Sequence, residues 1–460
     1  MIDRREVGLA ATVGLLLLTG IAVDVFATEV GRRPPPPPSG ARFAERASFC
    51  PPSLAGSTAF VVATAAGREE VSLGIEPARP ERVVVEAGGV FVQELPDRAP
   101  AQVVGYGSAV KSGVVLRSQE PVAGEAGAQC AESASSRWFF AGGASTLEVD
   151  ERLLIYNPFP DEAVVRVTFV TPVGEDRKGK LADVPVPAES VTIIKVNEFV
   201  HLERTLGVRI DTKRGRVVAW RALFDRPEEG SPGVQMTLGA PSDSDTWFFP
   251  EGTVAETARQ RISLLNPNEE EATVTVSLSG NGKIVQADEL VEIPVAAGTA
   301  RGVTLQQVLG ARALRAGAVS AVVQSTNGVG IIAERSMRYG DGRIRGSTAE
   351  LGATRSSRAW MLPPATLRPL VDDVVVMNPG SRDAVVALTI RGQDRRPIQP
   401  ASLQDETLAP GGRLRIDVTR WTRLRTAMVT LTSTNPVVAE RFSYSDVSRD
   451  AGTVMGYALE

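Results

Sequence analysis

The chain has 460 residues, a net charge of −4 and a single histidine. This charge creates no basic field that would recruit nucleic acid. One histidine excludes a multi-histidine metal site and most hydrolase mechanisms with histidine as general base. No Gly-x-Ser-x-Gly elbow, P-loop or dinucleotide glycine fingerprint occurs. We therefore expect no enzyme activity, no cofactor, no metal and no nucleic-acid partner.

Residues 7–27 are predicted as a transmembrane signal-anchor that follows a short cytoplasmic tip, residues 1–6. The stretch is apolar around Leu15–Leu18 and, at about 20 residues, is long enough to cross a bilayer. Arg4 and Arg5 before it favour a cytoplasmic N-terminus. The alternative is a cleaved signal peptide ending at Ala27, although the long apolar run favours the uncleaved anchor. Both interpretations place the rest of the chain outside the cytoplasm.

Residues 28–47 form a proline-rich linker that contains five consecutive prolines, Pro34–Pro38. Such a run adopts an extended polyproline helix of about 3.1 Å per residue. We interpret it as a stiff spacer between the membrane and the domains. The alternative, a ligand for a proline-reading domain, is disfavoured outside the cytoplasm.

Residues 48–132 are predicted as a degenerate β module flanked by the two cysteines of the chain, Cys50 and Cys130. In an oxidising compartment such a pair forms a disulfide. Closing a loop of this length contributes about 4 kcal/mol in the chain-entropy model. Two unpaired buried thiols are the alternative. Within the module, Pro121–Glu125 aligns with Pro436–Glu440 near the end of the chain.

Three further modules, residues 133–243, 244–356 and 357–460, repeat one cassette. Each cassette passes from an aromatic start through an Asn-Pro turn to an Ala-x-Arg strand, and its length of about 110 residues fits one small domain. The aromatic starts are marked by Trp138, Trp247 and Trp360. The turns are marked by Asn157, Asn266 and Asn378, and the strand ends by Arg221, Arg335 and Arg441.

Apolar residues alternate with polar ones on both sides of each Asn-Pro turn, as in Ala163, Val165, Val167 and Phe169. This period of two predicts half-buried antiparallel strands. We expect the turn to close a hairpin. About seven strands per cassette predict an all-β fold of tandem immunoglobulin-like β-sandwiches. Short connecting helices are predicted at Phe199–Leu206 and Leu305–Leu314.

The repeated arginines and aromatic residues each have two interpretations. The arginines are either an anion or glycan contact, or an internal clamp that stacks on the tryptophan or pairs with a carboxylate. The aromatic starts are either carbohydrate platforms or plugs of the sandwich core. Since both recur together with the landmarks of the fold, the structural interpretation is favoured.

Three other polar features are candidate sites. Asp372 and Asp373 point to opposite faces if they lie on a strand, so they are a poor glycosidase pair. Asp243 and Asp245 lie in a joint between modules, where calcium could bind through oxygen ligands. His201 occurs in one repeat only and is interpreted as a surface residue.

The motifs Trp247–Gly252, Leu264–Asn268 and Val329–Met337 resemble a repeat of bacterial surface proteins. The whole layout resembles an uncharacterised actinobacterial family of membrane-anchored envelope proteins. The first repeat departs from this pattern at Trp220, where glutamate is expected. The resemblance implies a location in the cell envelope and no established activity.

These features favour a non-enzymatic, single-pass membrane protein that serves as an envelope stalk, scaffold or binding module and is elongated. Its expected partners are the lipid bilayer, through the N-terminal helix, and cell-wall polysaccharide or an envelope protein. Two alternatives remain: an accessory subunit of an envelope polysaccharide or cell-wall synthesis complex, and a glycan-active enzyme.

Overall fold

The described residues form an all-β structure with antiparallel strands, as predicted. The computed structural model describes residues 46–459, with gaps at 66–68, 76–80, 87–88, 106–109, 229, 256, 281–282, 286, 311–316, 341, 393–395 and 423–425. The predicted anchor and the prolines of the linker lie outside this range. Within it, no helix has the length and apolar character needed to cross a membrane.

The strands fall into four groups, named here modules 1 to 4. Module 1 contains β1 (Arg46–Cys50), β2 (Ser57–Ala65), β3 (Glu69–Ile75), β4 (Glu81–Val85), β5 (Val90–Glu94), β6 (Ala101–Gly105), β7 (Val110–Ser118) and β8 (Gly124–Gln129). Module 2 contains β9 (Arg137–Gly143), β10 (Val149–Asn157), β11 (Ala163–Thr171), β12 (Gly174–Arg177), β13 (Val184–Val186), β14 (Ser190–Lys195), β15 (Leu206–Arg214), β16 (Val218–Asp225) and β17 (Gly233–Leu238).

Modules 3 and 4 follow the same plan. Module 3 contains β18 (Thr246–Phe249), β19 (Thr253–Val254), β20 (Ala258–Leu265), β21 (Ala272–Gly280), β22 (Lys283–Val285), β23 (Ile293–Val295), β24 (Ala300–Thr304), α1 (Leu305–Leu309), β25 (Gly317–Ala318), β26 (Ser320–Ser325), β27 (Ile332–Tyr339) and β28 (Gly346–Leu351). Module 4 contains β29 (Ser357–Leu362), β30 (Val371–Met377), β31 (Ala384–Gly392), β32 (Glu406–Leu408), β33 (Arg413–Asp417), β34 (Ala427–Ser445), β35 (Asp450–Met455) and β36 (Tyr457–Ala458). Single 3-10 turns lie at Gly179–Leu181, Val196–Glu198, Asp288–Leu290, Ala401–Leu403 and Val418–Arg420.

Each module is built from two antiparallel sheets, named here the inner and outer sheets. The inner sheets have the strand orders β5-β2-β7-β8, β14-β10-β16-β17, β24-β20-β27-β28 and β33-β30-β34-β35. The outer sheets include β1-β6-β3-β4, β12-β11-β15-β9, β18-β26-β21-β22 and β32-β31-β34-β29-β36. The long strand β34 therefore belongs to both sheets of module 4. Buried side chains from the two sheets form the core of each module.

The Asn-Pro turn does not close a hairpin, so that prediction is wrong. It joins β10 of the inner sheet to β11 of the outer sheet, and these strands pair with other partners. Period-two alternation shows which residues face the core, but it carries no information about which strand lies alongside. The alternation itself is confirmed, because Ala163, Val165, Val167 and Phe169 are all buried.

The helix prediction holds for one of the two connections. Leu305–Leu309 forms α1, at the start of the predicted Leu305–Leu314 helix. Between Phe199 and Leu206 there is no helix; a 3-10 turn ends at Glu198 and β15 starts at Leu206.

The last strands of the four inner sheets lie around one axis. Strand β8 packs against β17 and β35, and β28 packs against the same two strands. Module 1 therefore contacts module 4 as well as module 2, and the four modules close into a ring. An elongated row of domains was expected from the tandem repeat, and this expectation is wrong. Repetition specifies the fold of each copy, but complementary surfaces between copies decide whether the two ends meet.

The alignment of module 1 with the other repeats also needs correction. Glu125 lies on β8, the last inner strand, and not at the position of Glu440 on β34. In the registers of the inner sheets, Gly113 and Val114 correspond to Glu440 and Arg441. The apparent sequence match at Pro121–Glu125 therefore has no structural counterpart.

Candidate functional site

The three repeated asparagines are fully buried and fasten the Asn-Pro turn. The Asn157 Nδ2 donates to the carbonyls of Asp161 (2.7 Å) and Val186 (3.1 Å), and its Oδ1 accepts the N–H of Phe159 (3.1 Å). Equivalent bonds are made by Asn266 and Asn378. Because all the amide groups are used in this way, the turn is a structural feature of each copy.

The three repeated tryptophans are also buried and hydrogen-bonded within their own modules. Each indole N–H donates to a backbone carbonyl of its own module, with distances of 2.8 Å from Trp138 to Val217, 2.9 Å from Trp247 to Ile331 and 2.8 Å from Trp360 to Val437. All three rings are no more than 2% exposed. A ring with no accessible face offers no platform for a carbohydrate.

The cysteine pair replaces a contact found in the other modules. Cys50 and Cys130 form a disulfide. In modules 2 and 3 the corresponding residues are Phe140 with Gly239 and Phe249 with Gly352, where the phenyl ring covers a glycine so closely that a Cβ would collide with it. Module 1 thus holds the same two chain segments together by a covalent bond.

The repeated arginines clamp one module to the next. Arg221 of module 2 donates to Glu334 of module 3 (2.7 Å), and Arg335 of module 3 donates twice to Glu440 of module 4 (2.9 and 2.5 Å). These side chains are at most 2% exposed. Burial opposes the charge of Arg335, but Glu440 offsets this and raises its pKa. The prediction is a clamp within a module; Arg221 and Arg335 do lie over Phe140 and Phe249 of their own modules, but their carboxylate partners belong to the next module.

Arg441 in module 4 has no glutamate to meet in module 1, where the corresponding residue is Gly113. It pairs instead with Asp372 of its own module, through bonds of 2.7 and 2.6 Å. Asp373 points the other way and pairs with Arg415 at 2.7 Å. The two neighbouring aspartates therefore serve separate ion pairs, on opposite faces of β30.

Trp220 takes the position that glutamate has in modules 3 and 4. Its indole N–H donates to the carbonyl of Gln129 in module 1 (3.1 Å). Module 1 presents Val114 where the other modules present arginine, so a glutamate at 220 would be a buried carboxylate without a cationic partner. The departure of the first repeat from the pattern thus follows from its neighbour in the ring.

One buried carboxyl beside the first clamp has its pKa raised to near neutrality. Glu151 is fully buried; its Oε2 accepts the N–H of Ala144 (2.8 Å), and its Oε1 has no partner among the described residues. Burial raises the pKa of Glu151 to about 7, opposed by the nearby charge of Arg221 and by the bond from Ala144. The equivalent residue in module 3 is the neutral Gln260, whose Oε1 accepts the N–H of Thr253.

Asp450 lies at the meeting point of all four modules. Its carboxylate accepts backbone N–H groups from Val234 (2.8 Å), Ser347 (3.1 Å) and its own neighbour Ala451 (2.9 Å), and a fourth from Glu125. Each donor comes from a different module, at the second residue of its last inner strand. Burial raises the pKa of Asp450, although the four bonds oppose that effect.

Three glycines leave room for this one carboxylate. Gly124, Gly233 and Gly346 occupy the positions of Asp450 in the other modules, and a Cβ at any of them would collide with its oxygens. Only one of four equivalent positions can therefore carry a side chain. Asp450 is a central cross-link of the ring, with no exposed surface.

The ring closes where modules 4 and 1 meet. The Gln129 side chain of module 1 donates to the carbonyls of Met455 (2.8 Å) and Gly456 (3.0 Å). In return, the Tyr457 hydroxyl of module 4 donates to the carbonyls of Ser112 (2.5 Å) and Cys130 (2.7 Å). Since Cys130 is the disulfide residue, the covalent bond and the closing contacts share one segment.

The remaining predicted sites have simple surroundings. His201 is exposed, and Asp243 accepts from the Asn268 side chain (2.9 Å). Across the part of the chain that the structure describes, no three His, Cys, Asp or Glu side chains come together to hold a metal.

A surface groove of about 640 Å³ lies between modules 1 and 2. Pro52, Asp97 and Arg98 line it from module 1. From module 2 it is lined by Glu189, which precedes the edge strand β14, and by Val191 and Ile193 of that strand. Ile193 is 40% exposed. Its lining combines apolar and charged residues, and nothing in the repeat pattern indicated the groove.

The fold and its buried polar contacts define an all-β protein of four modules closed into a ring. A family model matches residues 98–223 and 229–440, so the chain belongs to DUF5719, a family of unknown function. No curated protein matches the chain.

Two solved structures show weak similarity. Thermotoga maritima protein 1070 is 17% identical, with a TM-score of 0.20 over 23% of this chain and 97% of that one. A Streptomyces avermitilis α-L-rhamnosidase, complexed with L-rhamnose, is 11% identical, with a TM-score of 0.13 over 81% of this chain and 54% of that one. Neither similarity carries an argument about fold or activity.

Proposed function

We propose that the protein is a non-enzymatic scaffold or binding module of the cell envelope. In this proposal it is held at the membrane by its N-terminal span, as in the actinobacterial family that it resembles, and its modules are of the immunoglobulin-like class. The observation that carries the proposal is the burial of the repeated polar residues in contacts between and within the modules. Arg221, Arg335, Glu334, Glu440 and Asp450 are all buried in contacts that hold the ring together, so the chemistry of the repeat serves rigidity.

The disulfide supports the extracytoplasmic part of the proposal. A pair that persists as a disulfide is typical of oxidising compartments. Cys50 and Cys130 are fully buried and stand at the closing contact of the ring, so their oxidation contributes directly to the architecture.

Fractionation of cells that express the full chain tests this proposal. We expect the protein in the membrane fraction, with its modules digested by protease added to intact cells and its cysteines blocked to alkylation until reduced. Purified full chain should appear as a closed ring of four modules in negative-stain electron microscopy. Full protection from the protease, or alkylation without reduction, would contradict the proposed location, and a rod-shaped particle would contradict a rigid ring.

A further inference from the structure

The groove between modules 1 and 2 lies at a position that modules 4 and 1 use for contacts with the module before them. Inner-sheet registers place Val191 and Ile193 of β14 opposite Tyr156 and Leu154 of β10. Leu154 is in turn opposite Trp220, whose side chain reaches module 1. Val191 and Ile193 therefore lie on the face of the sheet that points to the preceding module.

In modules 1 and 4 the same two positions make contacts with the preceding module of the ring. In module 4 they are Arg413 and Arg415, and Arg413 donates to Pro250 (3.1 Å) and Glu251 (2.5 Å) of module 3. In module 1 they are Val90 and Val92, which form an apolar cluster that includes residues of module 4.

Module 3 has Ala300 and Gly302 at these positions, and the Arg261 side chain lies over Gly302. Ala300, the counterpart of Val191, is 1% exposed, whereas Val191 is half-buried. At the other position Arg415 of module 4 is exposed but pairs with Glu251 of module 3 (3.5 Å), whereas Ile193 of module 2 is an apolar side chain that is 40% exposed.

The edge of β14 suits a polypeptide partner. This strand pairs with β10 on one side only and ends its sheet. Natural edge strands are commonly protected by charged side chains, as Arg413 and Arg415 do in module 4, whereas β14 presents valine and isoleucine. An edge of this kind accepts an extended peptide as an added strand, with alternate side chains in the adjoining pocket.

The lining argues against a saccharide. Of the described residues that line the groove, none is aromatic, whereas sugar rings are commonly bound by stacking on aromatic side chains. The charged residues of the lining are Asp97, Arg98 and Glu189. Glu189 has φ = 51° at a turn where modules 3 and 4 have Gly298 and Gly411, so a charged side chain is held in a backbone conformation that favours glycine.

We propose that this groove and the β14 edge bind an extended, apolar peptide segment of a partner protein. Continuity with the junctions between modules supports this occupant, because at the module 3–4 junction Arg413 binds Pro250 and Glu251, a segment of the chain itself between β18 and β19. The proposal rests on the proposed role as an envelope binding module and supplies its site.

The test uses purified full chain in detergent and a phage library of random octapeptides. We expect enriched peptides with apolar residues at alternate positions. Their affinity should fall at least tenfold in Ile193→Arg, which copies Arg415 of module 4. It should be unchanged in Val173→Arg, which alters an equally apolar residue, 94% exposed, elsewhere on module 2.

If Ile193→Arg fails to fold, Ile193→Gly copies Gly302 of module 3 and should cause a similar loss of peptide binding. Failure to enrich any peptide, or equal binding by the folded variants and the wild type, would overturn the proposal. So would binding of N-acetylglucosamine oligomers that Ile193→Arg abolishes. Because these measurements use purified protein, their failure is distinct from a failure of the predicted membrane location.

Discussion

Arg335 and Glu440 form a doubly hydrogen-bonded ion pair across the junction of modules 3 and 4, and both side chains are fully buried. Glu440 also accepts the N–H of Glu251 (3.0 Å), and Arg335 donates to the carbonyl of Glu251. The pair is therefore part of a network in which a backbone segment is held from both sides. A buried ion pair of this kind fixes the geometry of a junction even where its net contribution to stability is small.

Removing one member of this pair should destabilise the fold strongly. Glu440→Gln leaves Arg335 charged and buried, and we expect a loss of about 3 kcal/mol in the free energy of unfolding. The double variant Arg335→Met, Glu440→Leu should lose less, because it removes both charges. Urea unfolding followed by tryptophan fluorescence measures this difference. As a control, Arg214→Met removes an exposed pair with Glu162 and should change stability little.

Asp450 should tolerate no neutral replacement. In Asp450→Asn the amide nitrogen cannot accept an N–H bond, so at least one of the four backbone donors loses its acceptor, at a cost of about 1–3 kcal/mol for each buried group. Asp450→Gly matches the other three modules in sequence, yet it leaves all four donors unpaired and should cost more. Asp446→Asn, exposed in the same connection, is the control. An Asp450→Gly protein as stable as wild type would contradict the assigned role.

Trp220 and Val114 should show coupled effects. Trp220→Glu restores the repeat pattern but buries a carboxylate without a partner, and Val114→Arg buries a cation without one. We expect each single variant to lose about 3 kcal/mol. The double variant should be more stable than the sum of these losses predicts, because the new pair copies Arg335–Glu440. A double-mutant cycle in urea measures the coupling; strictly additive losses would show that the junction is not interchangeable.

The stability of the protein should fall as the pH rises through the range in which Glu151 ionises. Its pKa is raised from 4.5 to about 7 in the folded state, so the folded chain binds this proton more tightly than the unfolded chain. The stabilisation that protonated Glu151 contributes is complete below its pKa in the unfolded chain and is lost between pH 4.5 and about 7. By linkage it amounts to about 3 kcal/mol.

Glu151→Gln should flatten this pH dependence while retaining the bond from Ala144. In module 3 the equivalent Gln260 accepts the corresponding bond from Thr253. Unfolding free energies at pH 5, 6 and 7.5 provide the comparison. An unchanged slope in the variant would assign the pH dependence to other buried carboxyl groups, such as Glu350, whose pKa is also raised by burial.

The contact between a phenyl ring and a glycine, found in modules 2 and 3, should partly replace the disulfide of module 1. Cys50→Ala, Cys130→Ala removes a cross-link between residues 80 positions apart and should cost about 4 kcal/mol. Cys50→Phe, Cys130→Gly introduces the ring and glycine of modules 2 and 3, and should recover part of this loss. Thermal unfolding of both variants, with reduced wild type as reference, checks the order. Equal stability of the two variants would contradict the structural equivalence.

The sequence by itself determined the all-β class, the repeated copies, the buried face of strands such as β11 and the cysteine pair. Each of these follows from local pattern: alternation reports burial, and recurrence reports a shared fold. The tertiary structure decided the rest. Asn157 joins two sheets and closes no hairpin, because β10 and β11 pair with strands later in the module. Arg221 and Arg335 reach the next module, because their partners lie more than a hundred positions away. Asp450 shows the same limit: its only trace in the sequence is three glycines at equivalent positions, and their meaning appears only when the ring brings four strands to one axis.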